Sequence, residues 1–245
     1  MKIFAHRGLN RKAPENTMTA FRLAHEAGVE WMETDVDILG DGTAVILHDS
    51  TLDRTTDHSG SMYDLKFSDL SEISAGAKFG DGTRYRHERI PLLTDLLAFL
   101  RETHMKCNLE VKSNEAGGAM SRLLIDTVLR EIRDVQPEDL FISSFNHVFL
   151  YQIHQQRPDL QLACLFTKEC LWYDAISRCE QVGATAIHPE DSGLTAEITR
   201  RLKDAGLQIN VWTVNDPSRA RELASWGVDG IFTDIADEMR AALDH

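Results

Sequence analysis

Four amphipathic stretches of this sequence stop at a glycine and give way at once to an apolar run: Ala27-Gly28-Val29, Val182-Gly183-Ala184, Ala205-Gly206-Leu207 and Trp226-Gly227-Val228. Glycine accepts the left-handed conformation that ends a helix, and the very short helix-to-strand connections it permits keep successive strands parallel. The whole chain follows this alternation. Short apolar runs at 2–5, 31–38, 108–111, 141–144, 161–166, 185–188, 208–214 and 230–233 read as strands. Amphipathic stretches at 16–27, 119–132, 146–154, 173–182, 195–205, 217–226 and on to 243 read as helices.

A ninth strand is predicted at 44–47, one more than the eight of a closed βα barrel. Only Leu39-Gly40-Asp41-Gly42-Thr43 joins it to the strand before, which is too short for a parallel crossover and fits a hairpin. If the turn centres near Asp41-Gly42, His48 falls opposite Thr34, between Glu33 and Asp35 in height. From about 50 to 90 the periodicity fails in favour of Ser, Thr, Asp and Gly, with a short helix expected at 68–74; such a stretch is an insertion forming a lid or a small subdomain. No linker divides the 245 residues, and this length suits one barrel, so a single domain spanning 1–245 is expected.

Composition narrows the function. The 26 Lys and Arg against 39 Asp and Glu leave a formal charge of −13, so no nucleic-acid partner is expected and any anion site rests on a few placed cations. Cys107, Cys164, Cys170 and Cys179 form no metal or disulfide framework and are expected to be reduced. His6 and Arg7 interrupt the N-terminus before an apolar segment long enough for a signal peptide, and no transmembrane stretch is found; a cytoplasmic protein without stable membrane association is expected.

Glu33 and Asp35, two apart on one strand, project from the same face near its C-terminal end, and Glu110 and Lys112 repeat that geometry. In a βα barrel these strand ends line the mouth, so three carboxylates converge there. They either hold a hard divalent cation or pair with Arg7 and Lys112. His6 ends the first strand and His48 the hairpin return strand; each is a structural residue or, as a pair, a proton acceptor and a proton donor. Arg7 and Lys112 are candidate phosphate contacts, with Glu15 as an alternative partner of Arg7. Phe145, Trp212 and His188, at later strand ends, face the mouth as substrate-packing or rim residues. The basic run Arg84 to Arg89 is either solvated loop or an aid to drawing in an anion.

His6-Arg7-Gly8, Pro14-Glu15-Asn16-Thr17, Glu33-Thr34-Asp35-Val36, His48-Asp49-Ser50-Thr51-Leu52-Asp53-Arg54-Thr55-Thr56, Leu109-Glu110-Val111-Lys112, Ser143-Ser144-Phe145, Trp212-Thr213-Val214-Asn215 and Gly230-Ile231-Phe232-Thr233-Asp234 occur in this order and spacing. In this the chain resembles the bacterial glycerophosphodiester phosphodiesterases from residue 3 to about 234. The resemblance implies an α/β TIM (β/α)8 barrel, with the insertion after the second-strand hairpin, that splits a glycerophosphodiester into glycerol 3-phosphate and an alcohol. It further implies His6 and His48 as the acid/base pair, Glu33, Asp35 and Glu110 as ligands of one Mg²⁺ or Ca²⁺ ion, and Arg7 and Lys112 at the phosphate. Ala236 stands where the family usually carries proline.

Two other readings compete. A phospholipase-like enzyme at a membrane needs apolar or basic surface near the mouth, which the acidic insertion does not advertise. A non-catalytic barrel would be expected to have lost a histidine or a carboxylate of the set, and all five positions are kept. The sequence leaves open the leaving alcohol, the attacking oxygen, which histidine is acid, and the oligomeric state.

Overall fold

Strand β1 (Lys2–His6) runs beside β2 (Trp31–Ile38), and β3 (Ala44–Ile46) folds back antiparallel on β2. Then follow β4 (Lys106–Val111), β5 (Leu140–Ser144), β6 (Gln161–Phe166), β7 (Ala186–Pro189), β8 (Gln208–Val211) and β9 (Gly230–Thr233), each parallel to its neighbour. Strand β9 returns to pair with β1, so all but β3 close into a TIM (β/α)8 barrel. The computed structural model describes residues 1–243; Asp244 and His245, the last residues of the expected domain, lie outside the described residues.

The helices are α1 (Met18–Glu26), α2 (Leu93–Thr103), α3 (Gly118–Glu131), α4 (His147–Gln156), α5 (Ala175–Gln181), α6 (Ala196–Asp204), α7 (Pro217–Ser225) and α8 (Ala236–Leu243). Gly28, Gly183, Gly206 and Gly227 all have positive φ just beyond a helix, as their positions predict. Helix α2 is absent from the sequence reading, where Thr94 and Asp95 read as breaks in an apolar run. Asp95 instead marks a helix start: its carboxylate accepts from the Leu92 N–H at 3.2 Å. Ala236 opens α8, fully buried; proline also suits the first turn of a helix, so the departure from the family pattern is conformationally mild.

Alternation sorts each strand between two cores. On β4, Cys107, Leu109 and Val111 point to the helices, whereas Asn108, Glu110 and Lys112 point inward. The lower barrel interior is aromatic. Phe4 lies 4.6 Å from Phe232, 5.2 Å from Trp31 and 6.4 Å from Phe141 between ring centroids, with Ala163 and Ala186 completing the cluster. Lys2 covers it from below, 5.0 Å from the Trp31 ring. The acidic and basic side chains of the interior other than Lys2 therefore gather at the C-terminal ends of the strands.

Strand β2 outruns its neighbour. Its lower half pairs with β1 through Phe4↔Trp31 to His6↔Glu33, and its upper half pairs with β3 through Val36↔Ile46 to Ile38↔Ala44. Continuing that register sets His48 opposite Thr34, the position predicted from the hairpin. The segment between β3 and α2 has little regular structure, and the helix expected at 68–74 is a 3₁₀ turn, Phe67–Ser71. It nevertheless has its own apolar cluster, in which Leu52, Met62, Leu70, Ile73 and Ile90 pack on Leu39, Val45 and Leu47. Within the basic run, Tyr85 is buried beside Ala13 and Ala20 and donates to the Lys12 carbonyl at 2.8 Å, so this run anchors the segment to the loop before α1.

Removing the central ring of the barrel floor leaves a cavity that the closed sheet cannot collapse. Phe4→Ala is expected to cost about 3–5 kcal/mol in urea unfolding; a loss below about 1 kcal/mol would contradict this packing.

Candidate active site

Glu33, Asp35 and Glu110 are all buried, and one oxygen from each carboxylate lies within 4.8 Å of the other two. The sheet register puts Asp35 directly beside Glu110 and Glu33 beside Asn108. Burial and the neighbouring Asp35 push Glu33 up to about 8. Burial also raises Glu110, although Lys112 opposes the shift. Burial acts on Asp35 in the same direction, but Lys112 and Arg7 outweigh it and hold its carboxyl well below the usual range. Of the sequence alternatives for these carboxylates, pairing with Lys112 and Arg7 is observed for Asp35 and Glu110, and the triad also has oxygen donors at a spacing that could hold a hard divalent cation.

Lys112 Nζ lies 2.7 Å from Glu110 Oε1 and 3.2 Å from Asp35 Oδ1. The Arg7 guanidinium lies 2.8 Å from Glu15 and 3.4 Å from Asp35, and its backbone N–H donates to Glu33 Oε2 at 3.0 Å. A left-handed φ of 55° at Arg7 aims that N–H. Gly8 follows with φ of 79°, where a Cβ would stand 2.7 Å from the Ala20 carbonyl carbon, so the turn after His6-Arg7 admits no side chain at this point. Asn16, also left-handed at φ 56°, donates to Asp35 Oδ2 at 2.8 Å while accepting from Thr34 at 2.7 Å. Non-glycine residues held in this region concentrate at sites whose surroundings over-determine them.

Each histidine has an acidic partner. His6 Nδ1 is 2.7 Å from Asp234, which also accepts from Asn10 at 2.6 Å and Asn215 at 2.7 Å. Burial lowers the His6 pKa, but the bond to Asp234 and the charge of Glu33 outweigh it and the net shift is upward. Burial would raise Asp234; its hydrogen bonds from His6 and Asn10 instead hold it well below the ordinary range. His48 Nδ1 is 2.5 Å from Asp49, and Arg54 clamps Asp49 through Nε at 2.6 Å and Nη2 at 3.1 Å. Arg54 also reaches both Glu15 oxygens at 2.7 Å. Burial opposes ionisation of Asp49, but Arg54 and His48 bring it down to about 2. An unbroken series of ion pairs thus runs from His48 through Asp49, Arg54, Glu15 and Arg7 to Asp35.

His6, Arg7, Glu33, His48, Asn108, Glu110, Phe145 and Trp212 line one cavity of about 170 Å³, with Leu165 and Phe232 at its apolar wall. Phe145 and Trp212 meet edge to face with centroids 5.6 Å apart. Lys112 reaches the cavity's carboxylates without lining it. His188 departs from expectation: it is fully buried below the mouth, against Phe232 at 5.0 Å and Asn210 at 2.9 Å, and burial brings its pKa down to about 3. It is a packing residue.

Asp234, Asp49, Arg54 and Asn16 received no individual role from the sequence. Each stands inside a motif quoted for the family resemblance, but a carboxylate's aim at a histidine nitrogen depends on loop geometry. For Asp49 alone, adjacency to His48 was a usable signal.

The family model described as "Glycerophosphoryl diester phosphodiesterase family" matches residues 6–238. A glycerophosphodiester phosphodiesterase of Caldanaerobacter subterraneus subsp. tengcongensis is 31% identical, over 95% of this chain and 93% of its own. Another, from Bacillus altitudinis, is 32% identical over 96% and 95%. Among solved structures, an Oleispira antarctica phosphodiesterase in complex with the product sn-glycerol-3-phosphate superposes with a TM-score of 0.93 at 30% identity, covering 100% of this chain and 97% of that one. A glycerophosphodiester phosphodiesterase from Agrobacterium tumefaciens has a TM-score of 0.82 at 28% identity, over 98% and 99%. The match of fold, of nearly the whole length and of sequence leads to one conclusion: the chain belongs to the glycerophosphoryl diester phosphodiesterase family and is an enzyme of that kind.

Proposed function

We propose that this enzyme hydrolyses small glycerophosphodiesters to glycerol 3-phosphate and an alcohol, with His6 and His48 exchanging the protons. The observation that carries this reading is the convergence of two carboxylate-held histidines on a cavity that also contains an acidic triad. With Nδ1 of each ring held by an aspartate, Nε2 is the ring atom left for proton exchange. One imidazole takes the proton of the attacking oxygen, from water or the glycerol 2-hydroxyl. The other, protonated, gives its proton to the leaving alcohol oxygen as the P–O bond breaks.

Glu33, Asp35 and Glu110 would hold one Mg²⁺ or Ca²⁺ ion. Six carboxyl groups (Glu15, Glu33, Asp35, Asp49, Glu110 and Asp234) face three permanent cations (Arg7, Arg54 and Lys112) across the linked site, and Glu33, pushed up to about 8 by burial and Asp35, is the one that a further positive charge would ionise. When bound, such an ion supplies electrostatic stabilisation of charge developing on the phosphate oxygens. Arg7 and Lys112 orient the phosphate, and Phe145 and Trp212 pack against the carbon portion of the substrate. The proposal includes one barrel domain over 1–245 with its insertion at about 50–90. It also includes a cytoplasmic location, and an absence of nucleic-acid and stable membrane partners for which the −13 charge speaks.

With glycerophosphocholine as substrate, His6→Ala and His48→Ala should each lower kcat by about 10²–10⁴-fold with cooperative unfolding retained; turnover within threefold of the parent would remove the assigned roles. Excess chelator should abolish activity, with recovery on adding Mg²⁺ or Ca²⁺. Glu110→Gln should weaken metal binding in calorimetry at least tenfold, and full activity in chelator would rule out the ion. The acid response should trace Asp234. Its folded pKa is depressed below 3.8, so its contribution is present above about pH 4 and is lost as pH falls below that. Asp234→Asn should accordingly cost about 2 kcal/mol near neutrality, and the gap from the parent in urea unfolding should narrow toward pH 3.

A further inference from the structure

Asn108 stands one inward position below Glu110 on β4, beside Glu33 in the register, and lines the cavity while only 1% exposed. Its Nδ2 donates to Ser143 Oγ on β5 at 2.8 Å. Its Oδ1, equally buried, receives no hydrogen bond from the described residues. An amide oxygen desolvated without a donor is costly, and buried polar atoms rarely persist unless something pairs with them. The protein offers little nearby. Leu165, Phe232 and Phe145 present carbon. His6 and His48 direct Nδ1 to aspartates, and the Arg7 guanidinium is held by Glu15 at 2.8 Å, with its Nε turned to Asp35 at 3.4 Å rather than to Asn108.

The missing donor therefore belongs to what enters the cavity. A phosphate cannot supply it, because its oxygens are acceptors and would repel Oδ1; the basic groups Arg7 and Lys112 suit that end. Asn108 lies deeper than Glu110, so it meets the end of the substrate that penetrates farthest, between apolar walls suited to a short carbon chain. We infer that Asn108 Oδ1 accepts a hydrogen bond from a free hydroxyl of the glycerol moiety, and that Asn108 is a specificity-determining residue selecting glycerol phosphates over simple alkyl phosphates. The inference rests on the phosphodiesterase reading above. A site built to pair with a hydroxyl discriminates strongly against the analogue without it, since the buried acceptor is then left bare.

Product binding isolates this contact from the chemical step. Calorimetry with Mg²⁺ or Ca²⁺ present would compare sn-glycerol 3-phosphate with n-propyl phosphate, which lacks both hydroxyls, for the parent protein, Asn108→Ala and Asn108→Leu. The parent should bind the glycerol ester at least about tenfold more tightly. Both variants should bring the two ligands within about threefold of each other, by weakening glycerol 3-phosphate and leaving propyl phosphate unchanged. A preference that survives in both variants overturns the inference alone, as does an equal loss for both ligands or a parent that shows no preference. A parent that binds neither phosphate overturns it together with the reading on which it rests.

Discussion

Three carboxylates buried within 4.8 Å of one another repel strongly, and much of the upper half of this barrel is arranged around that repulsion. Lys112 rises from the same strand as Glu110 to bridge it to Asp35. Arg7 arrives from the end of β1, and Asn16 from the loop beyond it, each in a left-handed conformation that aims a donor at the cluster. The opposed shifts of Glu33 and Asp35 express the same balance, for the cations lie closer to Asp35 and leave Glu33 to the full effect of burial. A divalent ion is the remaining positive charge that such an arrangement accommodates.

The extra length of β2 gives the cluster its second histidine. Where β1 stops at His6, β3 takes over the same edge of β2, and the register delivers His48 next to the height at which His6 pairs with Glu33. The insertion then serves more than coverage. Its first turn supplies Arg54, whose guanidinium joins Asp49 behind His48 to Glu15 behind Arg7, so a proton-exchanging residue and a phosphate contact share one support. Planar, two-sided pairing of this kind is a capacity of guanidinium that an ammonium group lacks. The apolar cluster of Leu52, Met62, Leu70, Ile73 and Ile90 keeps this turn in place without regular secondary structure.

Much of this was legible in advance because strand geometry is local. Alternation alone put Glu33, Asp35 and Glu110 on one face, and a five-residue connection alone made β3 antiparallel and set His48 beside Thr34. The failures have local causes too. Asp95 interrupts the apolar run of helix α2 and so hides it from hydrophobic period, yet a carboxylate in the first turn binds free N–H groups. Period two distinguishes inward from outward but not depth, so it does not separate His188 from the mouth residues; Trp212 donates to its carbonyl from above and the aromatic floor lies below.

The sequence by itself determined the βα repeat, the parallel barrel, the inward direction of the acidic and basic side chains and, through its motifs, the family. These follow from glycine caps, hydrophobic period and spacing, which act over a few residues. Only the tertiary structure decided which ring nitrogen of each histidine is held, that Asp234 reaches His6 across 228 positions of sequence, that Arg54 joins two loops, and that Asn108 Oδ1 is buried without a donor among the described residues. Those depend on closing the barrel. Hydrogen bonding requires atoms to meet within about 3 Å, and no periodicity along the chain specifies such a distance between loops that become neighbours only when β9 pairs with β1.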